Sequence, residues 1–420
     1  MFKFKDSDAP WMTGAAESSA DLRSIGFLFN HDAPHQVAHS APIARELSEN
    51  YTGFKVTVLA TSRLLLDHAR KIIERDGHSR VQFVLLEESR LQRQVGRWLD
   101  AAMPFSRLMN LARHRNRLAE FDALVVPEST SLFIRRLLGK RTPKLIYTRH
   151  GNGDRSISVK RSAGEFDLVL FAGQKILDRF LEKGYLRPQQ YAVVGYAKFD
   201  TLTSIEGRRF FANDRPTVLY NPHFEPKLSS FYDMGLDVLE YFYNSDKYNL
   251  IFAPHIMLFK KKLHVSLESF RMRIRRGIPE RYLNCPHILV DTGSSALLDM
   301  SYTLSADYYI GDVSSQVYEF ALRPRPCVFL NSHKAAWRDN PNYLFWTFGP
   351  VLDHVGDLDA ALTAASSEEY IRTQEEVFRR TFDIGDRPAS VRAADAIADF
   401  FRRERAAAVA TDKTSELEFA

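Results

Sequence analysis

Short apolar runs alternate with amphipathic segments along most of the 420-residue chain. The first apolar run, at 24–29, is followed by a polar loop and by a segment with helical periodicity at 37–49. Further runs of strand length, several of them followed by a helical pattern, lie at 55–60, 81–86, 123–127, 144–147 and 168–171. This alternation is typical of a parallel, doubly wound α/β sheet.

A second series of apolar runs begins after a charged stretch at 205–215, which shows no sustained apolar period. The runs of this series lie at 217–220, 249–253, 288–291, 308–310 and 327–330. A break between two such series predicts a domain boundary. We expect one Rossmann-like domain at 24–205 and a second at 216–403, with a disordered arm at 1–23 and a polar tail at 404–420.

The composition narrows the class of protein. A content of 45% hydrophobic residues is enough for two buried cores, and a net charge of +5 is too small to indicate nucleic acid. The two cysteines, Cys285 and Cys327, are too few for a disulfide framework, which favours a reducing, cytoplasmic setting. No apolar run approaches the length of about 18 residues that spans a bilayer.

Two segments are rich in basic residues. The segment from Leu91 to Leu118 mixes arginines with apolar residues, and the segment from Phe259 to Arg276 contains three consecutive lysines and four arginines. Such segments suit an anionic membrane surface, whereas the plain alternative is a packed helix with a solvated basic face. Nucleic-acid binding is a weaker interpretation, since few stacking aromatics are interleaved.

The segment at 305–331 predicts a strand, a polar turn, a helix and another strand. Its first apolar run ends at Gly311 and Asp312, and the hydroxyls of Ser314 and Ser315 follow. A helix that begins at the carboxyl end of a strand presents unpaired N–H groups to a phosphate. The alternative is a plain Asp or Ser helix cap without any ligand.

Histidines follow four of the predicted strands: His31, His150, His223 and His255. A single histidine at a strand end is more often structural than catalytic. Several at the corresponding edges of two sheets point to phosphate chemistry, which needs a base near neutral pH and donors for developing charge.

The segment around Asp312 resembles the C-terminal signature of the CDP-glycerol glycerophosphotransferase family, the teichoic acid primases and polymerases. Asp312, Ser314 and Ser315 match its D-x-S-S motif, and Glu319 stands between two aromatics where the family usually has Asp. Further matches are an H-G pair at His150-Gly151, a Y-x-P segment at 220–224 and an H-P-like strand end at Pro254-His255. An aspartate after a strand corresponds to Asp291, and a closing D-G-x-A-x-x-R corresponds to Asp386 to Arg392.

The resemblance implies a GT-B fold, in which two Rossmann-like domains face each other across a cleft and the nucleotide-linked donor binds mainly to the C-terminal half. It implies transfer of glycerol phosphate, or a related polyol phosphate, from a CDP-linked donor to a hydroxyl of a lipid-linked or glycan acceptor. CMP is released without any cofactor. The protein is expected to lie at the inner face of the cell membrane. Its expected partners include an anionic membrane surface and exclude nucleic acid.

The resemblance also assigns roles to residues. His150 and His255 would be the catalytic residues. His150 would act as the base, and His255, together with the donor contact His223, would hydrogen-bond the diphosphate and stabilise the leaving CMP. The remaining donor contacts would come from Asp312, Ser314, Ser315, Glu319 on the ribose and Arg392 on the nucleotide. Gly151 and Arg155 would contact acceptor or phosphate. No carboxylate cluster or Cys/His spacing in the sequence predicts a metal site.

The chain departs from the family at two of these places. Asn152 to Arg155 stand where the family generally has a Thr-Pro-Leu-Lys run, and His223 replaces a threonine without an arginine following closely. Two alternatives therefore stay open. One is a GT-B glycosyltransferase or a nucleotide-sugar 2-epimerase-like enzyme, and the other is a non-catalytic, membrane-docking protein of envelope assembly.

Overall fold

The structure, a computed structural model, describes residues 22–31, 34–87, 105–149, 153–155, 159–202, 207–266 and 269–418. The chain divides into two compact units: unit 1 lies within 1–150, 159–202 and 381–420, and unit 2 lies within 151–158 and 203–380. Several predicted features lie outside the described residues: the arm up to residue 21, the basic segment from 91 to 104, and the site residues His150 and Gly151.

Unit 1 is built on a seven-stranded sheet whose paired strands are all parallel. Its strands are β1 (Arg23–Phe29), β2 (Phe54–Ala60), β3 (Gln82–Leu85), β4 (Ala123–Val126), β5 (Lys144–Thr148), β6 (Leu168–Phe171) and β7 (Tyr191–Val193). Their order in space is β3-β2-β1-β4-β5-β6-β7. Strands β4 and β6 are buried along their whole length, as expected of a parallel sheet covered on both faces.

The first helices of unit 1 cover this sheet. They are α1 (Ala41–Asn50), α2 (Arg63–Ile73), α3 (Phe105–Arg113), α4 (Arg115–Leu118), α5 (Phe133–Leu138) and α6 (Gln174–Glu182). Local chemistry sets where two of them begin. Pro42 lies in the first turn of α1, where its missing N–H is no loss, and the Ser62 hydroxyl accepts the Leu65 N–H to cap α2.

Unit 2 contains a six-stranded parallel sheet and a separate antiparallel hairpin. Its strands are β8 (Thr217–Asn221), β9 (Asn249–Phe252), β10 (Leu263–Ser266), β11 (Arg271–Ile274), β12 (Ile288–Val290), β13 (Tyr308–Gly311), β14 (Cys327–Leu330) and β15 (Val351–Leu352). The parallel sheet has the order β12-β9-β8-β13-β14-β15, and β10 and β11 form a separate two-stranded sheet. All five apolar runs of the second predicted series are strands of this sheet.

The helices of unit 2 are α7 (Phe231–Tyr243), α8 (Met257–Lys260), α9 (Glu280–Leu283), α10 (Ser301–Ser305), α11 (Val317–Phe320), α12 (Leu358–Ala364) and α13 (Glu368–Thr381). The predicted basic helix at 259–276 is wrong, because α8 ends at Lys260 and the hairpin β10–β11 follows. Apolar and polar residues alternate with period two from Leu263 to Ser266, which favours a strand over a helix.

The C-terminal helix α14 (Ala389–Glu418) packs in unit 1. Its Ala393, Ile397 and Phe400 join the core formed around β1 and β2. The sequence pattern predicts that residues up to 403 belong to the second domain and that 404–420 form a tail. In the structure one helix runs across the predicted boundary at 403, from Ala389 to Glu418. An apolar helix face shows that a partner exists, but it does not show which of two sheets supplies it.

Candidate functional site

The strand order of unit 2 reverses between β8 and β13. Strand β9 continues the sheet on one side of β8, and β13 and β14 continue it on the other. Ligands of open parallel sheets bind outside the carboxyl ends of the strands at such a switch point. The loops after β8, β9, β13 and β14 therefore form the candidate site.

Asp312 follows β13, and its buried carboxylate fixes the loop after β8. Oδ1 accepts the N–H of His223 at 3.0 Å, and Oδ2 accepts the N–H and the hydroxyl of Ser230 at 2.7 and 2.9 Å. Burial raises the pKa of Asp312 to about 6, although these hydrogen bonds favour the carboxylate. The Asp312 side chain serves this loop, and it does not cap α11, whose N-cap residue is Gln316.

The two serines after Asp312 differ in exposure. Ser314 is buried and hydrogen-bonds with Tyr309, whereas Ser315 is exposed. The predicted phosphate-binding helix is a single turn, α11, and so lacks the aligned peptide dipoles of a longer helix. Ser315 is therefore the member of the pair whose hydroxyl a ligand could reach, and the donor contacts of both serines stay predictions.

His223 and His255 lie side by side after β8 and β9, with ring centroids 5.5 Å apart. Nδ1 of His223 accepts the N–H of Glu225 at 3.1 Å, and Nδ1 of His255 accepts the N–H of Met257 at 3.2 Å. A ring nitrogen that accepts a hydrogen bond carries no proton, so each neutral ring holds its proton on Nε2. The backbone thus sets both rings as Nε2–H donors.

The surroundings of both rings favour this neutral form. Burial, with His255 and Arg155 nearby, holds the pKa of His223 well below its usual value. Burial also lowers the pKa of His255 to about 4, and the charge of Lys260 acts in the same direction. At neutral pH the pair consists of uncharged hydrogen-bond donors, and neither ring is a strong base before a ligand binds.

Arg155 carries a positive charge that acts on His223. The neighbouring Asp154 is buried, with the Tyr318 hydroxyl donating to Oδ1 at 2.7 Å and the Phe345 N–H donating to Oδ2 at 2.9 Å. These two bonds anchor the short segment that carries Arg155, whose charge contributes to the lowered pKa of His223. The role of Arg155 as a phosphate or acceptor contact stays a prediction.

Sequence reasoning missed two residues of this region. His333 follows β14; its Nε2 lies 2.9 Å from the Tyr343 hydroxyl, and burial lowers its pKa to about 4. It is another histidine after a strand, so the pattern that singled out the other four could have found it. Asp154 left no such signal, because its role depends on partners 164 and 191 residues further along the chain.

Glu319, the predicted ribose contact, is buried and lines a small cavity together with Asn221, Thr303 and Gln316. The cavity has a volume of about 10 Å³, enough for about one water molecule. The amide of Asn221 donates to the carbonyl of Ala253, which also lines the cavity, at 2.6 Å. The contact of Glu319 with a ribose stays a prediction.

Arg392 lies in unit 1, whereas the other predicted donor contacts lie in unit 2. Its guanidinium donates to the Asp383 carboxylate at 3.1 Å and to the Asp383 carbonyl at 2.5 Å. Gly195 packs so closely that a Cβ at that position would lie 2.3 Å from Nη2 of Arg392, and its φ of +87° also favours glycine. Arg392 is therefore hydrogen-bonded to a residue of its own unit. A contact between Arg392 and a nucleotide stays a prediction.

Arg149 is the described residue that precedes the predicted base, His150. Its side chain is buried beside the rings of Phe180, Phe171 and Tyr147, at 5.0, 5.9 and 6.0 Å from their centroids. Burial lowers the pKa of the Arg149 guanidinium. The aromatic contacts hold the carboxyl end of β5, from which His150 follows in sequence.

Two kinds of feature are absent from the described residues. No group of three or more His, Cys, Asp or Glu side chains in the described ranges is placed to hold a metal ion. Within the same ranges, no helix combines the length and apolar character required to cross a membrane.

No family model matches the chain, and no curated protein matches it in sequence. Solved structures share its fold. A Listeria monocytogenes protein described as a UDP-N-acetylglucosamine 2-epimerase has a TM-score of 0.59 at 13% identity, over 91% of this chain and 97% of that one. The Neisseria meningitidis UDP-GlcNAc 2-epimerase bound to UDP-GlcNAc has a TM-score of 0.56 at 12% identity, over 91% and 100%.

The wall teichoic acid polymerase TagF is similar to the chain as well, with a TM-score of 0.52 at 13% identity, over 91% of this chain and 90% of that one. Identities this low establish the fold alone. The predicted fold class is confirmed: the chain has two Rossmann-like α/β units of the GT-B type.

Proposed function

We propose that the chain transfers glycerol phosphate, or a related polyol phosphate, from a CDP-linked donor to a hydroxyl of a lipid-linked or glycan acceptor. The observation that carries the proposal is the pair of Nε2–H donors, His223 and His255, at adjacent strand ends of unit 2. Donors at this edge suit a diphosphate, and the positive charge of Arg155 acts on one of them, His223. The cytidine and the polyol come from the sequence resemblance.

The reaction is a displacement at phosphorus. The acceptor oxygen attacks the phosphorus that carries the polyol, a new P–O bond forms, and the P–O bond to CMP breaks with its electron pair leaving on CMP. His150 is the predicted base that receives the acceptor proton. His223 and His255 would donate hydrogen bonds to the departing phosphate, where negative charge develops.

The lowered pKa values of the two histidines fit this role. A neutral Nε2–H donates without first having to acquire a proton from solvent. An anionic diphosphate placed against the rings favours their charged form, so its binding raises their pKa. The hydrogen bonds therefore strengthen as negative charge accumulates on the leaving group.

The neighbouring structures support a nucleotide-linked donor. Those of the polymerase TagF include a histidine-to-asparagine variant soaked with CDPG, and one epimerase structure holds UDP-GlcNAc. These proteins share the fold of this chain, and we infer that its donor also carries a nucleoside diphosphate. The acceptor and its attachment to lipid are inferred from the sequence resemblance.

The direct test is release of CMP from CDP-glycerol, with and without membrane extract. We expect release that depends on acceptor, and a kcat lower by about 10²–10³-fold for His223→Gln and for His255→Gln. His78→Gln, at an exposed position of unit 1, is the matched control and should be as active as wild type. Wild-type protein that releases no CMP, or His255→Gln with full activity, would refute the proposal.

A second candidate is a nucleotide-sugar enzyme, either a glycosyltransferase or a 2-epimerase-like enzyme. It is favoured by the epimerases that share the fold, and the same histidine donors could bind the diphosphate of a UDP-sugar. Attack would then occur at carbon. Turnover of UDP-GlcNAc, with UDP or an epimerised sugar as product and no reaction of CDP-glycerol, would establish this candidate in place of the first.

A further inference from the structure

The hairpin β10–β11 exposes its apolar face to solvent. Leu263 pairs with Ile274 and Val265 pairs with Met272, so these four side chains share one face. Val265, Met272 and Ile274 are 60%, 64% and 73% exposed, and Phe270 next to β11 is 92% exposed. Such a concentration of exposed apolar side chains on one face is characteristic of an interaction site.

The opposite face of the hairpin binds the body of unit 2. Nε2 of His264 lies 3.0 Å from the carbonyl oxygens of both Leu258 and Lys261. Arg273 forms an ion pair with Asp233 and stacks on Tyr232, with its guanidinium carbon 5.1 Å from the ring centroid. Because this polar face makes specific bonds, the outward direction of the apolar face is built into the fold.

Positive charges surround the exposed face. Lys260, Lys261, Lys262, Arg271 and Arg276 are all exposed. None of the five forms an ion pair with a carboxylate among the described residues, although nearby Arg273 and Arg281 do. The charges that flank the apolar face are therefore available to an anionic partner.

We propose that this face, formed by Leu263, Val265, Phe270, Met272 and Ile274, docks the protein onto an anionic lipid bilayer. The apolar side chains would enter the boundary between headgroups and acyl chains, and the lysines and arginines would meet the anionic headgroups. A protein partner fits less well, because lysine is depleted in protein interfaces. Nucleic acid fits less well too, because Phe270 is the one aromatic residue on the face.

The docking face is connected to the candidate site. The Ser269 hydroxyl donates to Oε1 of Glu225 at 2.8 Å, and the Glu225 N–H donates to Nδ1 of His223. The residue next to Phe270 is thus bonded to the loop that orients one of the two histidine donors. Docking would hold this edge of unit 2 at the bilayer surface, where a lipid-linked substrate lies.

The test is co-sedimentation of the full chain with vesicles, without any nucleotide donor, so that its outcome does not depend on the proposed reaction. We expect binding to phosphatidylcholine vesicles that contain phosphatidylglycerol, and none to phosphatidylcholine alone. Met272→Ser combined with Ile274→Ser should weaken binding by about tenfold or more, through lost apolar burial. Replacement of Lys260, Lys261 and Lys262 by Gln should weaken it by about a hundredfold at low salt.

Matched controls lie on unit 1. Leu64→Ser removes a side chain that is 65% exposed, and Lys140→Gln with Arg141→Gln removes two exposed charges. Both should bind vesicles like wild type. Since all substituted positions on the hairpin are exposed, the variants should melt at the wild-type temperature, which circular dichroism checks.

A fluorescent label tests insertion directly. Cys285 and Cys327 are buried, so a Phe270→Cys variant can be labelled selectively with an environment-sensitive dye. We expect a blue shift with anionic vesicles, and none for dye on Leu64→Cys. The proposal fails if wild type does not bind anionic vesicles, or if the hairpin variants bind equally well. It also fails if the hairpin substitutions abolish a dimer, detected by analytical ultracentrifugation, without weakening binding to vesicles.

Discussion

The Tyr318 hydroxyl donates a hydrogen bond of 2.7 Å to the buried carboxylate of Asp154, which follows the fifth strand of unit 1 in sequence but belongs to unit 2. The Phe345 N–H donates to the other carboxylate oxygen at 2.9 Å. Together these bonds set the place of Arg155. A carboxylate without access to water depends on such donors, because unpaired buried polar groups are costly.

Tyr318→Phe removes one of these donors and should lower the free energy of unfolding of unit 2 by about 1–3 kcal/mol. Denaturant titration would measure the change. Tyr243→Phe, at a position that is 38% exposed on α7, is the control and should stay within about 0.5 kcal/mol of wild type. Equal stabilities for the two variants would show that the Asp154 carboxylate does not need the Tyr318 hydroxyl.

We expect the contribution of Asp312 to the free energy of unfolding to decrease as the pH rises through mildly acidic values. Its pKa is about 6 in the folded protein against an ordinary value of 3.8, so the folded state binds the proton more tightly than the unfolded chain. The resulting contribution is fully present below about pH 4 and is lost as the pH rises to about 6, amounting to about 3 kcal/mol.

The comparison with Asp312→Asn isolates this contribution, because asparagine does not titrate. We expect the stability of wild type relative to the variant to decrease between pH 4 and pH 6, measured by denaturant titration at each pH. A difference that is constant over this interval would contradict a raised pKa at Asp312.

His255 should take up protons when a nucleoside diphosphate binds. Its pKa is about 4 in the free protein, and the charge of a diphosphate against Nε2 would raise it. Calorimetric titration of CDP at pH 5.5 in two buffers of different ionisation enthalpy measures the uptake. We expect a smaller uptake for His255→Gln and the wild-type value for His78→Gln; identical uptake in all three proteins would exclude His255 from the diphosphate site.

The same lowered pKa has a second consequence for the protein without ligand. Folded His255 resists protonation, whereas the unfolded chain titrates near 6.5. Its contribution to stability is therefore present above about pH 6.5 and is lost as the pH falls to about 4. His255→Gln should remove this part of the acid sensitivity, which the same series of denaturant titrations would reveal.

Ile397→Ala tests the assignment of the C-terminal helix to unit 1. Ile397 is buried in the core around β1 and β2, so its truncation should destabilise that unit by about 2–5 kcal/mol. Hydrogen exchange should show lost protection in β1 and β2 with little change in β8 and β13. Val409→Ser, at a position of the same helix that is 50% exposed, should leave protection unchanged. Protection lost in β8 instead would contradict the assignment.

The local parts of the fold could be predicted from the sequence. The apolar runs at 217–220 and 308–310 become β8 and β13, since a buried parallel strand needs only its own side chains to be apolar. The helical periodicity at 37–49 predicts α1, which the structure begins at Ala41, for a similar reason. The histidines after β8 and β9 could also be predicted as site residues, because a residue that directly follows a parallel strand lies at the carboxyl edge of the sheet.

The sequence alone determined that the chain alternates strands and helices in two series, and that histidines follow several of the strands. Hydrophobic periodicity and turn residues act over a few positions, so these properties can be read from neighbouring residues. Only the tertiary structure decided that Asp312 serves the β8 loop, that Asp154 anchors Arg155, and that the C-terminal helix joins unit 1. Each depends on partners far away in the chain, and a buried carboxylate or an apolar helix face demands a partner without specifying which one.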